Sequence, residues 1–186
     1  TTNQTNYVER YAEYGYREWQ QTYPVESGES NLKHDIFVTP DNRLIEGVKT
    51  FETTTNNTYY KTRLYGSAGT PMPDYSYSLL MSQVALPTEY AVALDGLSLS
   101  MVTAPGGTNS QLRYYFINFY QQQAYPAGGL PLSAPNVQLL RPQLSLDSAG
   151  KVYCSWLETT ATEASLKVNM VNNDLEAAWG QGISLF

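Results

Sequence analysis

The sequence predicts an all-β chain: an antiparallel β-sandwich or jelly roll of roughly 8–10 strands, with an N-terminal arm or short helix. Three observations predict it. From Ile36 onward apolar residues recur with a period of two, the repeat of a strand with one face turned inward. Gly, Pro and Asn clusters punctuate these runs at spacings of about 8–14 residues. No helix-length stretch of 3.6-residue periodicity lies between them.

Residues 1–35 stand apart as an arm or extension, with 36–186 as the β-domain. The arm carries Glu9, Glu13, Glu18, Glu26, Glu29 and Asp35, six of the 17 acidic residues, and little aliphatic content. Asn6 to Glu9 has the spacing of a capping box. Val8, Tyr11, Ala12 and Trp19 then recur at helical spacing, interrupted by Gly15. A short helix or an ordered arm is the expectation, followed by a loop over residues 24–31.

Strands are predicted over 44–51, 58–65 and 75–86. Ala91–Leu94, Asp95-Gly96 and Leu97–Met101 read as a hairpin with a tight primed turn. In it Leu97, Leu99 and Met101 are buried while Ser98 and Ser100 are wet. The run 111–122 is apolar on both faces, which places it centrally in a sheet, with Leu112, Tyr114 and Phe116 facing the core. A second hairpin spans 137–146 and 151–158 around Asp147–Gly150, with Val152, Cys154 and Trp156 on one face. Over 165–171, Leu166, Val168 and Met170 are expected inward and Ser165, Lys167 and Asn169 outward. Turns are expected at 67–71, 104–109 and 126–129, and one or two helical turns over 173–179.

Bulk composition narrows the function classes. Charged residues make up 15% of the chain and the net charge is −6. The 11 basic residues form no cluster, and a phosphate backbone needs several on one face. The expected partners therefore exclude nucleic acid. No apolar run reaches the ~18 residues of a spanning helix, so no membrane insertion is expected. The chain begins at Thr1 without a Met, which is taken as a sign of trimming, cleavage or excision. The sequons Asn3-Gln-Thr5 and Asn56-Asn-Thr58 matter only on a secretory route.

Catalytic residues are hard to find. His34 is the one histidine, and no G-x-S-x-G elbow marks a serine for it to activate. Cys154, the one cysteine, lies on an apolar strand face and reads as a small hydrophobe. One His and one Cys cannot furnish a zinc site. Asp41-Asn42 and Asn172-Asn173-Asp174 suit turns better than calcium. No cofactor, no metal and no enzymatic activity are expected.

Tyrosine, at 16 residues, is the strongest compositional signal. Its flat ring and wet hydroxyl suit protein interfaces and sugar faces alike. The candidate binding residues are Tyr7, Tyr11, Trp19, Tyr75, Tyr125 and Asn109. In composition the chain resembles β-sandwich shell and fibre proteins: few charges and many Thr, Asn, Gln and Tyr. That resemblance implies a structural or attachment domain of a larger symmetric assembly, of virion capsid, spike or fibre-head type. Its partners would be copies of itself or other subunits, with a cell-surface glycan or receptor besides, on a virion or extracellular surface. The alternative is a free-standing carbohydrate-binding module or lectin, and the third a β-sandwich glycoside hydrolase.

Overall fold

The computed structural model describes residues 5–82, 88–106 and 110–185. They form fourteen strands and one turn of 3-10 helix at Pro73–Tyr75, with no α-helix among the described residues. The all-β expectation is met. The chain divides into two compact units, Thr1–Ala85 and Leu86–Phe186. Residues 1–35, which the sequence sets apart, fall inside the first.

In the first unit β1 (Thr5–Tyr11) and β2 (Arg17–Pro24) pair as an antiparallel hairpin. A four-stranded sheet follows, β3 (Glu29–Val38), β4 (Leu44–Glu52), β5 (Asn57–Tyr65) and β6 (Tyr77–Ser82), in sequence order. The expected arm or short helix over the first residues is thus corrected to a hairpin and an edge strand. The helical spacing of Val8 and Trp19 is coincidental. Both lie on one face because Val8 pairs with Gln21 and Arg10 with Trp19 across two strands. Polar Arg10 and Gln21 interrupt the apolar alternation and hide the period of two. Gly15, at φ 80°, closes the tip, where Ala12 N–H donates to Tyr16 O at 2.8 Å.

The second unit is a sandwich. One sheet holds β7 (Thr88–Asp95), β8 (Ser98–Pro105), β9 (Arg113–Asn118) and β10 (Gln123–Pro131). The other holds β11 (Gln138–Leu146), β12 (Val152–Thr159), β13 (Ala164–Val171) and β14 (Ile183–Ser184). Val102, Ala104, Leu112 and Tyr114 from the first sheet pack with Leu139, Val152, Cys154, Trp156 and Val171 from the second in one buried core. Fully burying each large apolar side chain is worth about 1.5–3 kcal/mol. Cys154 lies in this core on the apolar strand face the sequence predicts, and burial pushes its thiol up to about 12. Where Arg141 and Pro142 bulge out of register on β11, the Arg141 N–H donates to the Glu89 carboxylate of β7, tying the two sheets at one edge.

Neighbouring strands in every sheet are consecutive in sequence. These are meanders, so the jelly-roll alternative, which needs Greek-key crossovers, does not describe the sheets seen here.

Several local expectations are corrected by tertiary context. The β7–β8 loop is Gly96-Leu97, with Asp95 pairing Ser98. The glycine, at φ 60°, takes the first loop position as in a type II′ turn. Strand β8 is buried on both faces: Leu99 and Met101 on one, Ser100 and Val102 on the other. The expected turn at 126–129 lies inside β10, as a register jump from Tyr125 opposite Phe116 to Leu130 opposite Tyr114. Lastly, β13 faces opposite to expectation, with Asn169 and Val171 fully buried. Asn169 replaces apolar packing with hydrogen bonds. Its Nδ2 donates to Leu132 O at 3.2 Å and Gly180 O at 2.9 Å, and its Oδ1 accepts from Trp179 N–H at 3.2 Å. Residues 173–179, expected as helical turns, instead form turns and a bridge from Ala177 to Val171.

Asn169→Ala should therefore destabilise the protein by about 2–4 kcal/mol, because buried carbonyl and amide groups lose their partners together. Urea denaturation followed by tryptophan fluorescence measures this; a loss below about 0.5 kcal/mol, the range of surface substitutions, would show that the amide is not the hub described.

Candidate functional site

The most elaborate constellation in the first unit lies where the hairpin rests on the sheet. Its centre is Glu46, in the middle of β4 and fully buried. Cross-strand register builds its surroundings. Arg63 on β5 and Ile36 on β3 stand directly opposite it, which brings Tyr65 and His34 to the diagonal positions on the same face. The Tyr65 hydroxyl donates to Glu46 Oε2 at 3.1 Å, and Arg63 Nη1 lies 3.5 Å from that oxygen. His34 Nδ1 is 3.2 Å from Oε1, which also accepts from the Tyr23 hydroxyl of β2. The Arg63 guanidinium lies 3.8 Å from the centre of the Tyr23 ring, a cation–π contact.

Each carboxylate oxygen thus has two partners, and one of the four groups comes from the hairpin. Burial first, then the bond to Glu46 and its charge, push the Tyr23 phenol well above its ordinary value of 10. Tyr65 is raised by burial and by the Glu46 charge. Both stay neutral donors across the physiological range. His34 would need an activatable nucleophile to act catalytically; its side-chain partner is Glu46, already committed to the hairpin. Glu26 and Glu29 converge on Lys61, an ion-pair cluster rather than a spaced acid pair. Among the described residues no group of three or more His, Cys, Asp or Glu side chains is placed to hold a metal.

A small apolar cluster completes the docking. Val8, Leu44 and Tyr65 are buried together, with Trp19 and Tyr23 packed against them. The Trp19 ring stacks on Tyr65 with centroids 6.0 Å apart. Gly69, at φ 77°, leaves room for it: a Cβ there would come within 2.4 Å of the indole. Arg10 reaches back from β1 to Ser67 O at 3.2 Å. Two clefts flank the hairpin. One of about 420 Å³ is bordered by Tyr7, Glu9, His34 and Ile36, and one of about 240 Å³ by Tyr23, Arg63 and Met72.

The hairpin's outer face and tip are what this anchoring presents. Tyr7, Tyr11, Tyr14 and Tyr16 are 64, 55, 84 and 76% exposed. Tyr11 hydroxyl donates to Glu9 Oε2 at 2.7 Å, and Arg17 bridges Glu9 Oε1 at 3.1 Å and Gln20 at 2.7 Å. The Tyr11 bond, then the Arg17 bond, hold the Glu9 carboxyl below its ordinary value. The open edge of β3 adds exposed Leu32, Ile36 and Val38.

The structure thus brings Tyr7 and Tyr11 onto one surface and gives Trp19 a different place, inward between hairpin and sheet. Tyr75 lies half-buried on the 3-10 turn, and Tyr125, half-buried on β10, donates to Gln121 at 2.9 Å. Neither belongs to the hairpin surface. Asn109 lies outside the described residues. Tyr14 and Tyr16 belong to the exposed, tyrosine-rich segment that the sequence marks, but they are not among the candidate binding residues, and Glu46 is read there only as one ordinary acid among many. The signal available for Glu46 was an acid inside an otherwise apolar strand, Leu44-Ile45-Glu46-Gly47-Val48.

No family model matches the chain, and no curated protein matches it either.

Tyr23→Phe should cost about 1–3 kcal/mol by leaving one Glu46 oxygen short of a donor. The raised pKa values of Tyr23 and Tyr65 set the sign of the pH dependence. Their contribution is complete below pH 10, the ordinary tyrosine value, and is lost as pH climbs toward the raised folded values. Urea denaturation between pH 8 and pH 11 should show stability falling at the alkaline end, and falling less steeply in Tyr23→Phe. Equal slopes in the two proteins would refute the anchoring role.

Proposed function

We propose that the protein is a structural or attachment domain of a larger symmetric assembly, of the capsid, spike or fibre-head kind, acting by contact rather than by turnover. The observation that carries this is the hairpin's exposed surface, where Tyr7 and Tyr11 on β1 and Tyr14 and Tyr16 at the tip stand more than half exposed. Four rings in water forgo the burial that folding offers elsewhere in the chain. Tyrosine also loses little side-chain freedom when a partner covers it, and aromatic rings are enriched where protein interfaces are tightest.

Rigidity supports the same reading. A patch held by a fully partnered buried carboxylate and a stacked indole is arranged before any partner arrives, which lowers the ordering cost of association. Both hairpin strands keep an unpaired outer edge, and such edges can extend a sheet into a neighbour. The partners are further copies of this chain or other subunits of the assembly. Self-association through one repeated patch gives closed symmetric oligomers.

Light scattering on the purified chain over a wide concentration range should show a defined oligomer. Tyr14→Ala and Tyr16→Ala should each weaken it about tenfold or more, as loss of an interface hot spot does. Tyr75→Ala and Tyr125→Ala should leave it unchanged. Trp19→Ala is unsuitable because it removes packing within the unit. A monomeric mass at every concentration would reject self-assembly through the hairpin.

A further inference from the structure

The second unit holds a cavity of about 330 Å³ where three turns meet at one end of its sandwich. Asp95 comes from the end of β7 beside its turn to β8, Ala149 and Gly150 from the β11–β12 turn, and Asn172, Asn173 and Leu175 from the turn after β13. The aromatic side chains of Tyr114 and Phe116 on β9 line it as well. We propose that this cavity binds a single neutral pyranose unit, such as the terminal hexose of a glycan.

Size limits the ligand to something small, since pockets for small molecules start near 300 Å³. Charge limits it further. Asp95 is the one ionisable carboxyl among the lining residues, and no lysine or arginine lines the cavity. An anionic ligand would meet repulsion with nothing to offset it. Hydrogen-bonding capacity is mixed. One Asp95 oxygen accepts from Ser100 Oγ at 3.2 Å, which leaves the other available as an acceptor. Asn172 is spent on its own turn: its Oδ1 accepts from Asp174 N–H at 3.0 Å and Glu176 N–H at 2.9 Å. The Asn173 amide, by contrast, has no hydrogen-bond partner among the described residues. It offers one acceptor and two donors.

A carboxylate, a free amide and a half-buried ring side by side suit a ligand whose hydroxyls both give and accept hydrogen bonds and whose ring has an apolar C–H face. A sugar ring has both. A purely apolar ligand would leave the Asp95 carboxylate desolvated and unpaired. Part of the site is also prearranged. Asp147 Oδ1 accepts from Ala149 N–H at 2.8 Å and Lys151 N–H at 2.9 Å, pinning the neighbouring turn. The Tyr114 hydroxyl is fixed 3.0 Å from Ser100 Oγ, and burial pushes its pKa up to about 12, so it stays neutral.

The test is a titration of the isotope-labelled full chain with D-glucose, D-galactose, D-mannose and N-acetyl-D-glucosamine. N-acetylneuraminic acid and n-butylamine serve as charged comparators. At least one neutral sugar should shift the amide signals of residues 95, 116, 149–150 and 172–175, with a millimolar dissociation constant. Asn173→Ala and Asp95→Asn should each weaken binding about tenfold, the loss of one hydrogen bond. Asn173→Ala should leave the melting temperature unchanged, because its amide makes no bond within the protein. The same sugar should still bind Tyr14→Ala and Tyr16→Ala protein, which separates this site from the hairpin and its fate. The proposal is overturned by any of three results. These are no shift at these residues below about 100 mM of any neutral sugar, binding indifferent to both substitutions, or a preference for either charged comparator.

Discussion

A carboxylate with no exposed surface constrains the first unit more than any other group. Moving an ionised carboxylate out of water costs several kcal/mol even after the surroundings relax, and only near-ideal partners offset that cost. Glu46 has four: two phenols, an imidazole and a guanidinium. They come from β2, β3 and β5, so the charge is satisfied only when hairpin, edge strand and central strand are all in place. Apolar packing alone would let the hairpin slide, because Val8, Leu44 and Tyr65 make a small and nondirectional cluster. The hydrogen bonds fix its position. Such polar centres are better at specifying one arrangement than at adding stability.

The second unit solves a similar problem with neutral groups. Its core is larger, and the polar residues inside it are hydrogen-bonded one to another or to the backbone. Ser100 bridges Asp95 and Tyr114, and Asn169 links β13 to Leu132 and to the turn at Gly180. None of these needs a counter-charge, and removing one costs the desolvation of a dipole rather than of an ion. Asn169 also explains why β13 sits with its alternation reversed. Three bonds from one amide hold the strand in the register where Val171 reaches the core and Leu166, Val168 and Met170 remain half-buried.

What was legible in the sequence follows from the same physics. Period-two runs with an apolar inner face, such as Val152-Tyr-Cys-Ser-Trp156, are read directly, because hydrophobic burial depends on residue type alone. So is the central place of β9, apolar on both faces. Legibility ends where polar side chains turn inward. Arg10 and Gln21 blur the hairpin, Ser100 makes a doubly buried strand look half wet, and Asn169 reverses the apparent face of β13. In each case the partner that makes burial tolerable lies on another strand or in a turn remote in sequence. The exposed tyrosines were recognisable in kind. Their division into presented (Tyr7, Tyr11) and anchoring (Tyr23) was not, since it depends on which face of the hairpin meets Glu46.

Low charge ties these features to the proposed roles. A surface rich in charge steers its partners from a distance and loses affinity as salt screens it. Here the hairpin offers rings and amides, and four of its charges are already paired, Glu9 with Arg17 and Arg10 with Glu18. The cavity of the second unit offers one carboxylate and neutral groups. Recognition on such terms acts only at contact distance, through ring burial and hydrogen-bond geometry. Association would then be unassisted by long-range attraction, and its strength would rest on shape and on many weak contacts made together. In the assembly proposed above, repetition of the chain would make weak contacts sufficient. Once one contact is made, the next is intramolecular, and avidity can exceed a single affinity by about 10²–10⁴-fold without any new chemistry. On the proposed reading, a charge-poor, tyrosine-rich β-domain would gain more from acting in many copies than from acting alone.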